Sequence, residues 1–203
     1  GYIRAQAEGE IIGGYDDAVR CTVRHMNVNP KERNVRVAHQ FVCASGSMPL
    51  RSDSEMIFVG GTELVSAESV GGFDYVALGH LHQAQRVGGE FVRYAGAPLK
   101  YALGESASLK SFAVVDLYSK GETRVQLVPI KPSIDLRMER GKLEELLERP
   151  ASDRDGDFIE VRLTDEPPVF DAMQRLRARY PRVVSVRREG DMHAAQPSGP
   201  LSA

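Results

Sequence analysis

Two short apolar stretches of this chain run straight into histidine. Val35-Arg36-Val37-Ala38 leads into His39, and Tyr75-Val76-Ala77-Leu78-Gly79 leads into His80-Leu81-His82. Alternation and β-branched content make strands of residues 34–38, with Val35 and Val37 on one face, and of residues 73–78. A strand that ends in imidazoles must bury its apolar side in a sheet while presenting polar rings at its end. In sheets of this kind, strand ends are where ligand-binding and catalytic groups collect.

The rest of the chain reads as alternating elements. Asp16-Asp17 can cap a helix whose apolar side is Val19, Val23 and Met26, ending before Asn29-Pro30. A polar loop follows from Ser45 through Glu55 to Gly60-Gly61. Hairpins are expected at Gly88-Gly89 and at Lys120-Gly121, the latter between strands at residues 111–117 and 123–130. Beyond Pro132 the pattern becomes strand 135–139, helix 142–147, strand 158–163, helix 171–180 and strand 182–187, a small α+β domain of its own. The expected division is residues 1–128, 129–189 and a disordered Ala/Pro/Ser/Gly-rich tail at 190–203.

Composition narrows the class. A formal net charge of −2 gives no global attraction to nucleic acid, so any DNA contact must come from local patches. The two cysteines, Cys21 and Cys43, make no disulfide framework and read as reduced core residues, which fits a cytoplasmic protein. No apolar run approaches the ~20 residues of a membrane span, and no signal peptide is recognisable. The chain opens Gly1-Tyr2-Ile3-Arg4 without an initiator Met, as processing or a partial reading frame would leave it.

The histidines carry the chemistry. In an extended segment His80 and His82 project to one side, and Gly79 lets the backbone turn as the strand ends. Two neutral imidazoles joined by a third, His39, suit Mn, Fe or Zn better than Mg or Ca. Against this, a lone His39 is more often a hydrogen-bonded core residue, and a bare His-x-His pair is a weak motif.

The ordered surroundings of these histidines resemble a known family. Asn34-Val35-Arg36-Val37-Ala38-His39-Gln40-Phe41-Val42 is similar to the fourth motif of the SbcD branch of the calcineurin-like metallophosphoesterases. Phe73-Asp74-Tyr75-Val76-Ala77-Leu78-Gly79-His80-Leu81-His82 resembles the fifth, which carries Gly-His-x-His. Ser52-Asp53-Ser54-Glu55 and Gly60-Gly61 fall between them in familiar places. Arg93-Tyr94-Ala95-Gly96-Ala97-Pro98-Leu99-Lys100-Tyr101 is similar to the family's Tyr-x-Gly-Ser-Pro-Leu-Lys-Tyr segment. The resemblance runs in order from about Tyr15 to Arg188.

It implies an α/β fold: the second half of a metallophosphoesterase sandwich, with mixed sheets flanked by helices, followed by a small α+β capping domain. It implies that His39 and His80 bind one divalent ion and His82 a second, Mn2+ being the expected metal. Two ions about 3.5–4 Å apart would hold the scissile phosphate, activate water and steady the leaving oxygen. The implied function is that of a nuclease subunit acting on double-stranded DNA ends and hairpins in repair, recombination and replication. Its partners would be an SbcC-like ATPase and a second copy in a homodimer.

The departures from the family matter equally. Its first three motifs (Asp-x-His, Gly-Asp and Gly-Asn-His-Asp/Glu) are not found, and Asp191-Met192-His193 reads as a chance match in the tail. Without those carboxylates the site is incomplete, no catalytic acid is assigned, and this chain alone is expected to be inactive. Ala97 stands where the family carries Ser or Thr, and Ala102-Leu103-Gly104 replaces Ser-Phe-Ser. Lys100 and Tyr101 remain as substrate-binding candidates; a surface cation and a half-buried ring are the equal alternative. Arg175, Arg177, Arg179, Arg182, Arg187 and Arg188 could neutralise phosphates, but their spacing fits an ordinary solvated face better. The competing functions are a phosphoesterase for small nucleotides and a non-catalytic DNA-binding or scaffolding remnant.

Overall fold

The computed structural model describes residue 9, residues 11–52, residue 55 and residues 64–190. The opening four residues, Asp53, Ser54, Gly60, Gly61 and the tail from 191 with its Asp191-Met192-His193 lie outside the described residues. Two compact units are present: Gly1–Ala102 with Ser108–Lys131, and Leu103–Ala107 with Pro132–Ala203. Both combine helices with sheets, so the chain is α/β.

The first unit opens with α1 (Tyr15–Arg24). The expected cap at Asp16-Asp17 is displaced: Gly14 is the N-cap, and the Asp17 carboxylate reaches back to accept from the Gly13 and Gly14 N–H groups at 3.0 and 3.2 Å. That satisfies orphan donors of the first turn from within the helix. Asp16 instead accepts from the Ser66 N–H at 2.8 Å and pairs with Arg20. Val19 is buried and Val23 packs against the core, while Met26 falls beyond the helix and is exposed.

The main sheet contains β1 (Val35–His39), β4 (Tyr75–Gly79), β5 (Gln85–Arg86) and β6 (Val92–Tyr94), in the order β1-β4-β6-β5. β1, β4 and β6 are parallel, and β5 returns antiparallel to β6 across the expected hairpin. Its buried face contributes Val76, Leu78 and Tyr94 to a core shared with Val19, Val42, Val65, Val70, Leu81 and Val87. β2 (Phe41–Cys43) pairs in parallel with β3 (Leu64–Ser66), and the single-turn α2 (Ala67–Val70) follows. These three short elements escape sequence reading because each is too brief to show a period.

The valines of β1 do share a face, and it is the outward one. Val37 is 80% exposed and Val35 47%, whereas Arg36 between them is 8% exposed. The Arg36 guanidinium donates to the Ser69 carbonyl at 3.3 Å and lies 5.9 Å from the Phe73 ring centroid; burial lowers its pKa. The first unit is completed by a hairpin of β7 (Ser111–Leu117) and β8 (Thr123–Pro129). Asp74 ties that hairpin to the start of β1. Its carboxylate accepts from the Asn34 N–H at 2.7 Å, the Gly121 N–H at 3.0 Å and the Lys120 ammonium at 2.6 Å.

The second unit runs β9 (Leu136–Gly141), α3 (Leu143–Glu148), β10 (Phe158–Leu163), α4 (Ala172–Arg179) and β11 (Val183–Arg188). All three strands are parallel, in the order β11-β10-β9. The unit is therefore a βαβαβ arrangement, α/β rather than the α+β expected. Crossover helices are what parallel neighbours require. Leu143, Leu146, Ile159, Val161, Leu163, Leu176 and Val183 form one closed core.

Candidate metal centre

β1 and β4 are in parallel register with His39 opposite Gly79, so both strands end at one level. The His39 and His80 ring centroids lie 5.4 Å apart, with the planes at 89°. An imidazole bonded to a metal at about 2.1 Å places its centroid roughly 3.2 Å from the ion, and two such rings at a tetrahedral angle stand about 5 Å apart. The pair therefore fits two ligands of one divalent cation. Phe41 flanks His80 edge-on, centroids 5.9 Å apart, giving the pair an apolar wall.

Gly79 makes this approach possible. A Cβ at that position would come 2.8 Å from His39 Nδ1, so any side chain there would displace the ring. His80 has φ +96°, a left-handed conformation uncommon outside glycine. Strain of this kind costs on the order of 1–3 kcal/mol and persists where the surroundings over-determine it. The strand stops at Gly79, and the chain bends at His80 and again at His82. The extended-chain argument for the His-x-His spacing therefore does not hold here: the turn, not strand alternation, sets where the rings go. Leu81 between them is buried in the core.

His82 is placed differently. Its ring stacks at a tilt of 56° on Tyr101, centroids 5.4 Å apart, and Tyr101 is exposed. One expected substrate contact thus adjoins one expected ligand, while Lys100 is half-buried. Among the described residues, no group of three or more His, Cys, Asp or Glu side chains converges on a metal-sized space. The structure brings together His39 with His80, and His82 with Tyr101; among the described residues no carboxylate joins the two pairs into one cluster.

Behind the rings lies a layer for which the sequence alone suggests no role. The buried Tyr94 hydroxyl accepts from the Val42 N–H at 2.6 Å and donates towards the carbonyls of Val42 and Gln40, holding the chain just after His39. Burial pushes its pKa up to about 12, so it remains a donor. The Gln85 amide pairs with both backbone groups of Leu50 at 2.8 and 2.7 Å, strapping the 47–52 loop to the turn. The cysteines are free thiols, Cys21 buried and Cys43 half-buried, and burial raises the Cys43 pKa.

The arginines of the second unit end largely on internal partners. Arg175 forks onto Glu144 at 2.7 and 2.9 Å, and Arg179 pairs with Asp155 at 2.6 Å. Arg177, Arg182 and Arg188 donate to the carbonyls of Val183, Gly156 and Glu166. These five of the six arginines act as clips between elements.

With this geometry in place, comparison with known proteins shows what the chain resembles. The family described as Type 5 capsule protein repressor C-terminal domain (SbcD_C) matches residues 132–201. The chain is 31% identical over 177 residues to the SbcD subunit of nuclease SbcCD from Staphylococcus epidermidis, covering 86% of this chain and 47% of that protein. It is 31% identical over 183 residues to the protein of the same name from Bacillus subtilis, covering 85% and 46%. The chain is SbcD-like. It spans less than half the length of the curated relatives it matches. In this SbcD-like chain no described helix is long and apolar enough to cross a membrane.

Proposed function

We propose that this chain carries part of the metal centre of a DNA nuclease subunit, with His39 and His80 holding one divalent cation and His82 a second. The observation that carries the reading is the edge-on His39–His80 pair at adjacent parallel strand ends, with Gly79 vacating the space His39 occupies. An all-nitrogen pair from the protein favours a transition metal over Mg or Ca, and Mn2+, the metal that the family resemblance implies, is the one we assign. Two such ions supply a polarised phosphate and a deprotonated water. The chain's own residues position and shield. Phe41 walls the first pair, Tyr94 fixes the turn after His39, and Tyr101 offers a ring beside His82 for the sugar-phosphate backbone, with Lys100 adjoining it in sequence.

In this proposal the four-stranded sheet and the β7–β8 hairpin belong to a metallophosphoesterase sandwich, and the βαβαβ unit is its capping domain. The remaining carboxylate ligands come from a part of the protein outside the described residues. The substrate is the double-stranded DNA end or hairpin, cleaved together with an SbcC-like ATPase in the cytoplasm during repair and recombination, by a homodimer of the SbcD-like protein. The names of the relatives support a nuclease component of an SbcCD complex.

The test is a Mn2+ titration of the chain followed by paramagnetic broadening of the imidazole NMR signals. His39 and His80 should broaden together, and His39→Ala should release His80. His39 and His80 imidazole signals that stay sharp as Mn2+ is added would sink the assignment. In the intact protein, hydrolysis of linear duplex DNA in preference to cyclic nucleotides is expected, and His80→Ala should abolish it.

A further inference from the structure

A left-handed His80 needs neighbours that hold it there, and the structure shows what grips the turn on its C-terminal side. The His82 N–H donates to the Glu55 carboxylate in a short hydrogen bond. The other carboxylate oxygen accepts from the Ser52 N–H at 2.6 Å, so Glu55 is itself fixed at both oxygens. The His82 carbonyl accepts from the Ala97 N–H at 3.0 Å and also from the Lys110 ammonium at 2.9 Å. Lys110 is 8% exposed. Gly96 closes this corner from behind: with φ +79°, a Cβ there would come 2.8 Å from the Ala84 backbone N and 3.1 Å from the His82 carbonyl oxygen.

The Ala97 N–H by itself would satisfy the His82 carbonyl. A buried ammonium on the same oxygen is a second, charge-assisted bond whose desolvation a purely structural lysine would avoid by pointing outward. Both main-chain polar groups of His82 therefore carry a bond to a charged side chain, one acidic and one basic, from segments far apart in sequence.

We propose that Glu55 and Lys110 are positioning residues of the metal centre: they clamp the His82 main chain so that the strained His80–His82 turn presents its rings as ligands. The inference rests on the reading of His80 and His82 as ligands and deepens it. Groups that orient ligands from outside the coordination sphere typically affect metal affinity by 10–100-fold.

The experiment uses the whole chain, with Lys110→Met, Lys110→Arg and Glu55→Ala, reading thermal midpoint and Mn2+ broadening of the imidazole signals side by side. Lys110→Met should weaken broadening of His80 and His82 by about tenfold or more, and Lys110→Arg should restore it to within about threefold. Glu55→Ala, a loop residue outside both cores, should show the same loss and supplies the readout should Lys110→Met not fold. Variants that lower the midpoint while keeping wild-type Mn2+ affinity would overturn the proposal and leave the metal centre standing. Wild-type chain whose His80 and His82 signals ignore Mn2+ would remove the metal centre itself, and the clamp with it.

Discussion

The two units use the same kinds of residue for opposite ends. In the βαβαβ unit, charged side chains go to internal ties: Arg175 to Glu144, Arg179 to Asp155, Arg140 to Glu189 at 2.7 Å, and Arg154 and Arg137 to the buried Asp157. Its core is closed by two helices against one sheet face. The first unit instead turns valines outward on β1 and keeps a strained histidine at the end of β4. It holds a cation, Lys110, below the surface beside that turn. Both units carry local cost, the second at the left-handed Asp171 and the buried Glu160, the first at His80; the difference is that in the first unit the cost falls on a candidate ligand. Violations of consistency across levels are expected at functional sites, and His80 is the one that coincides with candidate chemistry.

The largest effect that sharpens this contrast is in the closed unit. Leu146 is fully buried in the core shared by α3, α4 and β10. Leu146→Ala should cost about 2–5 kcal/mol, read as a lower urea midpoint in fluorescence or circular dichroism. A change below about 1 kcal/mol would mean that this core is loosely packed and that the contrast between the units is wrong.

The next effect lies in the acid limb of the first unit. The Asn34 N–H, followed by the Lys120 ammonium and the Gly121 N–H, holds the Asp74 carboxyl down at about 2, below its ordinary 3.8. A depressed folded-state pKa contributes stability that is complete above the unfolded value and disappears as pH falls through the folded one. The thermal midpoint should therefore fall between about pH 4 and pH 2, and Asp74→Asn should flatten that fall while lowering the plateau at neutral pH. An unchanged acid limb in the variant would show that the junction of β1, β4 and the β7–β8 hairpin is held by something else.

These tests bear on what the sequence made legible. The strands ending in His39 and His80, both hairpins, and every element after Pro132 could be read because each has enough residues to show its period or has a Gly-marked turn. β2, β3 and α2 could not, being three or four residues long. The direction of the β1 valines was hidden for a different reason: alternation gives the two faces but not which one is covered, and Arg36 on the inner face inverts the usual guess. The candidate ligands were legible as residues, but their geometry was not. Alternation put His80 and His82 on one side of an extended chain, whereas the backbone turns left-handed at His80. Lys110 carried no usable signal, and Glu55 only its place in the Ser52-Asp53-Ser54-Glu55 stretch, since bonds made to main-chain groups leave no spacing in the sequence.

A smaller effect, of opposite sign, follows from that turn. Replacing His80 by Gly removes the side chain that makes φ +96° costly. His80→Gly should therefore stabilise the chain by about 1 kcal/mol while abolishing Mn2+ uptake at the site. A destabilised variant would indicate that the His80 ring, packed edge-on between His39 and Phe41, holds the strand ends together and is not merely tolerated there.

The smallest effect on stability concerns the outward face of β1. Val37 is 80% exposed, and β1 is the edge of its sheet among the described strands. An exposed apolar edge strand is a template for pairing with another copy. Val37→Ser removes apolar area that is already in water, so the urea midpoint should move by less than about 0.5 kcal/mol. Self-association of the chain, followed by sedimentation velocity across a concentration series, should nevertheless drop clearly. A loss of stability well above that figure would mean that Val37 is covered in solution, and the outward face of β1 would then belong to a core rather than to a surface waiting for one.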